Sequence, residues 1–180
     1  YRDDSRLLSK SIISNRYNNE YFYILMEYCD GLSLWDFIMQ HSGKSIDRKK
    51  IYDILKQILK GLKKIHGNGI IHRDIKPNNI FIKNNVIKIG DFGLAKKYFN
   101  SDKILKNNEH AGNTPTYAAP EQKCGKMYNE KVDIYATGIT FYEMCGCFGT
   151  FQEREYCLSN LKNKKIICEN VEKKYTEESE

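Results

Sequence analysis

One stretch constrains this chain more than any other. It is residues 71–81, I-H-R-D-I-K-P-N-N-I-F, answered shortly afterwards by Asp91-Phe92-Gly93. Asp74 and Asn79 stand five apart with Lys76 and Pro77 between them. Proline fixes its own φ, so a carboxylate, a cation and an amide are delivered to one point. Twelve residues beyond Asn79, Asp91 follows a strand-like run and is released by Gly93. Phosphoryl transfer from a nucleotide uses groups of these kinds: a carboxylate to orient the attacking hydroxyl, a lysine near the transferred phosphate, and Asn plus Asp to hold magnesium. The bland alternative is a basic loop followed by a strand turn. Two motifs in order and at this separation discriminate far better than either alone.

The rest of the composition bounds the answer. At 180 residues the chain can bury one substantial core, so a single domain or one lobe of a larger one is expected. The 29 Lys plus Arg against 23 Asp plus Glu form no block of five like charges. A solvated surface is therefore expected, with no direct nucleic-acid binding. The six cysteines include one C-x-C, Cys145 and Cys147, but no C-x-x-C, which suits reduced thiols and a cytoplasmic setting. No apolar run approaches the ~20 residues needed to span a bilayer.

Residues 1–20 are polar and read as an insertion or linker tail. Residues 21–26 (Y-F-Y-I-L-M) form a strand pattern, broken by Glu27 to Gly31, after which Ser33 can cap a short helix through Gln40. Asp47 is the expected N-cap of a helix to about His66, whose Ile51, Ile54, Leu55, Ile58, Leu62 and Ile65 share one face. Gly67 is expected to end it in the left-handed conformation. Gly67-Asn68-Gly69 follows a helix and lacks a third glycine, so it reads as a turn, not a dinucleotide site. Strands are expected over residues 79–83 and 86–89, joined by a two-residue Asn84-Asn85 turn that tolerates positive φ. Residues 91–121 show little periodicity, and a loop that long is normally functional. Asn129 can cap a helix from Glu130 to about Cys145 that is apolar nearly all round, with Asp133 as an anomaly inside it. Residues 151–163 form a further helix pattern, and residues 169–180 read as a charged tail or loop.

These motifs, with T-P-T-Y-A-A-P-E at residues 114–121, resemble the eukaryotic protein kinases over residues 21–163 or so. The resemblance implies an α+β fold: the helical C-lobe plus the hinge strand, with most of the N-lobe expected to precede residue 1. Residues 21–168 would be this partial kinase domain. It implies ATP and Mg2+ as cofactors, Asp74 and Lys76 as catalytic residues, and Asn79 and Asp91 as metal ligands. Met26 would be the gatekeeper, with the Glu27 carbonyl and Cys29 amide facing the adenine, Ser33 at the same edge and Phe81 beneath it; Phe81 reads equally as a core aromatic. His72 and Arg73 belong to the catalytic loop, Phe92 and Gly93 to the metal motif, and Thr114, Thr116 and Glu121 to the segment that seats a protein substrate. Asp133 would bracket the His72-Arg73 turn, against the plain reading of a solvent-facing acid near a helix start. Glu109 stands where similar kinases carry an activating threonine, against the reading of a solvated loop charge; Asn113 replaces the usual glycine near it.

Lys76 two after Asp74 is the Ser/Thr pattern. A-A-P-E-Q, Y-N-E-K-V-D-I-Y and Glu153-Arg154 followed by L-S-N-L-K are similar to the kinases of translation initiation factor 2 alpha, which implies that subunit as a protein substrate. That branch implies substrate docking near residues 153–163 and leaves room for a homodimer through the N-lobe. The glycine-rich loop, the strand lysine and its glutamate partner are not in these residues, nor is the arginine that pairs with Glu121 in kinases. Three readings stay open: an active Ser/Thr kinase, of this branch or another; a pseudokinase scaffold; and a small-molecule transferase on the same fold. The four intact residues Asp74, Lys76, Asn79 and Asp91 weigh against the second, and residues 114–121 against the third.

Overall fold

The computed structural model describes residues 27–98, 105–106, 114–122, 127–169 and 171–172. Met26, Glu109, Asn113 and the expected strand at residues 21–26 lie outside them, as does the 1–20 segment. Helix α1 (Leu34–Gln40) starts where expected: Ser33 Oγ accepts the Asp36 N–H at 3.0 Å. Helix α2 (Arg48–Gly67) is capped by Asp47, which accepts the Lys50 N–H at 3.0 Å. Its apolar stripe follows the 3.6-residue period, and Ile51, Ile54, Ile58 and Leu62 are all at most 2% exposed. Gly67 is the last helical residue, and the left-handed glycine is Gly69 at φ 73°. The helix thus runs one residue past the expected His66, and the left-handed glycine falls two residues past the expected Gly67, because Asn68 still caps the helix with its own N–H.

Three short strands build the floor of the site. β1 (Leu32–Ser33), β3 (Ile80–Lys83) and β4 (Val86–Ile89) form an antiparallel sheet in the order β1-β3-β4. Asn79, expected to open β3, instead closes a 3-10 turn, Pro77–Asn79. Asn84 and Asn85 take φ of 50° and 63°, the left-handed pair that a two-residue hairpin demands. Gly31 permits β1 to approach: a Cβ there would lie 2.2 Å from the Ile82 carbonyl oxygen. The far end of the hairpin is clamped to α2, since Gln57 donates to the Asn85 carbonyl and accepts the Ile87 N–H, both at 3.0 Å.

Behind the sheet, α2 packs on α3 (Lys131–Gly146). Asn129 serves the start of α3 by accepting the Lys131 N–H at 3.1 Å, with Glu130 as the cap residue. Val132, Ala136, Ile139, Tyr142 and Met144 are buried, whereas Ile134 is 46% exposed, so the apolar character is not fully used. α4 (Phe151–Ser159) is followed by a π-helical turn, Asn160–Lys164, where a continuous helix was expected. Val171 is buried in the same core, so packing reaches into the stretch expected to be a charged tail. Two short pairings pin the long aperiodic segment. β2 (Ile70–Ile71) meets β5 (Lys96–Lys97), and β6 (Leu105–Lys106) meets β7 (Met127–Tyr128) just before α3. Among the described residues no helix is long and apolar enough to cross a membrane, and the five described cysteines are free thiols.

Candidate active site

The site forms where the loop after β2 meets the hairpin. Asp74 is 7% exposed. Lys76 Nζ donates to Asp74 Oδ2 at 2.7 Å and to Thr114 Oγ1 at 2.9 Å, and the Thr114 hydroxyl reaches Asp74 Oδ1 at 3.3 Å. Asn79 Nδ2 donates to the Asp74 carbonyl at 2.9 Å and to Asp74 Oδ2 at 3.0 Å. Carboxylate, ammonium, hydroxyl and amide from positions 74, 76, 114 and 79 are thus assembled as one cluster. Oδ2 is engaged twice, which leaves Oδ1 with one long contact among the described residues.

The loop is held by its backbone. Asp133, 1% exposed, accepts the His72 N–H at Oδ2 (2.9 Å) and the Arg73 N–H at Oδ1 (2.8 Å). His66 Nε2 lies 2.7 Å from the same Oδ2. Buried charge is tolerated when hydrogen-bonded in this way. The bracket fixes Arg73 at φ 73°, a conformation costly for a residue with a Cβ. His72 is fully buried; its Nε2 meets the Gly90 carbonyl at 2.9 Å and its Nδ1 accepts the Asp74 N–H at 3.3 Å. The Nε2–H tautomer satisfies both. Its ring packs on Phe92 at 4.8 Å.

Where the chain leaves β4, beside Asn79, Asp91 is exposed at φ 56°, and its Oδ1 accepts the Gly93 N–H at 3.2 Å. Asn79 commits its amide nitrogen to Asp74, so its oxygen is the atom left for a ligand. An exposed carboxylate and an amide oxygen on one hairpin suit Mg2+, which is usually held by one or two carboxylates together with phosphates and waters. Phe81 is half-buried and lies against Gly90, where a Cβ would meet its ring at 2.9 Å. Residues 27–31, the expected hinge, run along the hairpin, with Asp30 paired to Lys83 at 2.5 Å and Glu27 to Lys88. Cys29 is half-buried there. The Ser33 hydroxyl is occupied by its cap, donating to Asp36 Oδ2 at 2.6 Å.

The protein kinase domain model matches residues 9–180. The chain belongs to the protein kinase family. It is 44% identical over 149 residues to eukaryotic translation initiation factor 2-alpha kinase 1 of Plasmodium falciparum, covering 80% of this chain and 9% of that protein. It is 38% identical over 162 residues to eIF-2-alpha kinase GCN2 of Schizosaccharomyces pombe (82% and 10%). Human serine/threonine-protein kinase Nek5 is 41% identical over 129 residues (71% and 18%). The chain therefore spans a fifth or less of each of these relatives.

The roles of four residues escaped the sequence reading: His66, Tyr117, Glu143 and Arg154. Glu143 carried the same signal as Asp133, an acid inside an apolar helix. Lys162, in the stretch expected to dock a substrate, donates to the Pro115 carbonyl and, at 2.7 Å, to the Thr116 carbonyl. Thr116 is half-buried beside this contact, and Glu121 sits in a 3-10 turn, Pro120–Gln122.

Proposed function

We propose that this chain carries the catalytic lobe of an ATP- and magnesium-dependent protein serine/threonine kinase acting on the alpha subunit of translation initiation factor 2. The supporting observation is the Asp74–Lys76–Thr114 cluster, with Asn79 bonded to the same carboxylate. Bound Mg-ATP would supply the transferable phosphoryl group. Asp74 Oδ1 accepts the proton of the substrate hydroxyl as the hydroxyl oxygen attacks. Lys76 offsets the charge gathering on the transferred group, and its bond to Asp74 Oδ2 holds the carboxylate in one orientation. Asn79 and Asp91 would hold the metal from the two strands of one hairpin at its open end, where the Gly90 N–H bonds the Asn79 carbonyl. The substrate assignment rests on the likeness to two initiation factor kinases, and the likeness to Nek5 makes a different protein substrate the competing reading.

In the full-length protein Asp74→Asn should keep nucleotide affinity and lower turnover roughly 10²–10⁴-fold. Asp91→Asn should weaken binding of magnesium-nucleotide. Equal loss of nucleotide affinity in both variants would overturn the assignment. For the substrate, charge reversal at the exposed Lys164 should reduce phosphorylation of initiation factor 2 alpha while sparing a generic basic protein; parallel loss on both would overturn that part.

A further inference from the structure

Two thiols meet where α4 gives way to the segment after it. Cys157, in the last turn of α4, is 2% exposed, whereas Cys168, beyond the π turn, is half-buried. Both line one cleft, together with Tyr156, Asn160, Ile166 and Ile167. The Cys157 thiol hydrogen-bonds to the sulfur of Cys168. Tyr142 on α3 holds the backbone of the second thiol, its hydroxyl oxygen accepting the Cys168 N–H at 3.2 Å. The Cys168 carbonyl in turn accepts the N–H groups of Val171 at 2.9 Å and Glu172 at 3.1 Å. Among the described residues no three His, Cys, Asp or Glu side chains stand together as a metal ion would need. The chemistry open to the pair is that of a dithiol.

The two sides of the pair differ in how firmly they are held. α4 is tied to α3 by a buried ring: Arg154 Nε donates to Glu143 Oε1 at 2.5 Å, the Tyr117 hydroxyl donates to Glu143 Oε2 at 2.7 Å, and Arg154 Nη2 donates to the Tyr117 oxygen at 2.9 Å. The segment leading to Cys168 turns at Lys165, with φ 60°, and leaves Ile166 and Ile167 53% and 50% exposed. An S–S bond brings the sulfurs to ~2.05 Å, and the closing movement falls to this less anchored side. We propose that Cys157 and Cys168 form a redox-active dithiol, which hydrogen peroxide oxidises to a disulfide that staples the segment after the π turn to α4. The Cys168 sulfur, nearer solvent, attacks one peroxide oxygen; the O–O bond breaks, and the displaced hydroxide takes the thiol proton as water. This leaves a sulfenic acid. The Cys157 sulfur then attacks the Cys168 sulfur, the S–O bond breaks, and the oxygen leaves as water with the Cys157 proton. Together the sulfurs lose two electrons, which the peroxide gains. Burial keeps the proton on Cys157, its thiol pushed up to about 12, so Cys157 is slow toward peroxide itself and reacts through its neighbour. None of this depends on the kinase reading.

The test exposes the folded full-length protein to hydrogen peroxide, blocks the remaining thiols with N-ethylmaleimide, and maps tryptic peptides by mass spectrometry without reductant. Lys162, Lys164 and Lys165 lie between the two cysteines, so trypsin separates them and only a disulfide joins their peptides. The joined peptide should form, split on adding dithiothreitol, and exceed any other cysteine pairing by about tenfold or more. The amides of Val171 and Glu172 should exchange more slowly in the oxidised protein. In Cys157→Ser, Cys168 should stop at the sulfenic acid and be captured by dimedone. In Cys168→Ser, Cys157 should stay an unoxidised thiol. Absence of the joined peptide, or a mixture of pairings with the other cysteines, would overturn the proposal. So would unchanged exchange at Val171 and Glu172, or ready oxidation of Cys157 in Cys168→Ser. The wild-type mapping needs no substitution, so it decides alone if either variant folds poorly.

Discussion

Replacing Asp133 by Asn isolates what the bracket under the loop that carries Asp74 contributes. The two carboxylate oxygens accept separate backbone amides, from His72 at 2.9 Å and Arg73 at 2.8 Å. Asparagine has one acceptor oxygen, and its NH2 would face the remaining N–H donor to donor. The variant loses one charge-assisted bond and strands one buried amide, each a matter of about 1–3 kcal/mol. A combined loss of about 3 kcal/mol is expected, a large share of a total stability on the order of 5–15 kcal/mol. For a chain of this size that corresponds to roughly 6–12 °C in Tm. Differential scanning calorimetry of the full-length protein reads the global effect, and amide exchange at His72 and Arg73 reads the local one. A stability loss under about 1 kcal/mol, or amides at 72 and 73 as protected as in the wild type, would refute the reasoning. Asp133→Ala should cost more, because both amides then lack an acceptor.

Cys157 is 2% exposed, and burial pushes its thiol from 9.0 up to about 12. At pH 8 it should react with iodoacetamide roughly 10³-fold more slowly than an ordinary thiol, read by mass spectrometry of labelled peptides; comparable labelling of Cys157 and the half-buried Cys29 would contradict this. Because the folded thiol keeps its proton where the unfolded one gives it up, stability should fall between pH 9 and about 12. That slope should flatten in Cys157→Ala, measured by urea unfolding. Arg73 is 5% exposed, and its Nε and Nη2 have no hydrogen-bond partner among the described residues. If Glu109 supplies a partial substitute for a phosphate there, Glu109→Ala should lower activity with little change in Tm, and phosphatase treatment should leave appreciable activity. Full activity in Glu109→Ala with complete loss on dephosphorylation would place the switch at another residue of the loop.

The parts of the site that were legible in the sequence are those whose partners lie close along the chain or repeat with a fixed period. Asp47 and Ser33 announce helix starts because a cap acts within three residues. Asn84-Asn85 announces a hairpin because positive φ at both positions is a local requirement. Asp133 stood out because an acid inside an apolar helix needs a reason. The Tyr117–Glu143–Arg154 ring was not legible, since its members are separated by 26, 11 and 37 residues and no period links them. The two bonds of Lys162 were not legible for a related reason: a lysine reads as solvated surface until the fold puts two carbonyls in front of it. The two-residue strand β1 was invisible because its pairing with Ile82 and Phe81 is decided by β3, not by Leu32 and Ser33.

Arg73 and Asp91 both adopt left-handed backbone conformations, at φ 73° and 56°. A glycine at either position would relieve on the order of 1–2 kcal/mol of backbone strain. Any screen for heat resistance alone would thus be drawn toward substitutions that erase two charges flanking the Asp74–Lys76 cluster. Improved variants of this lobe would have to be sought with a function-dependent filter in place from the first round, because stability and chemistry pull in opposite directions at these two residues.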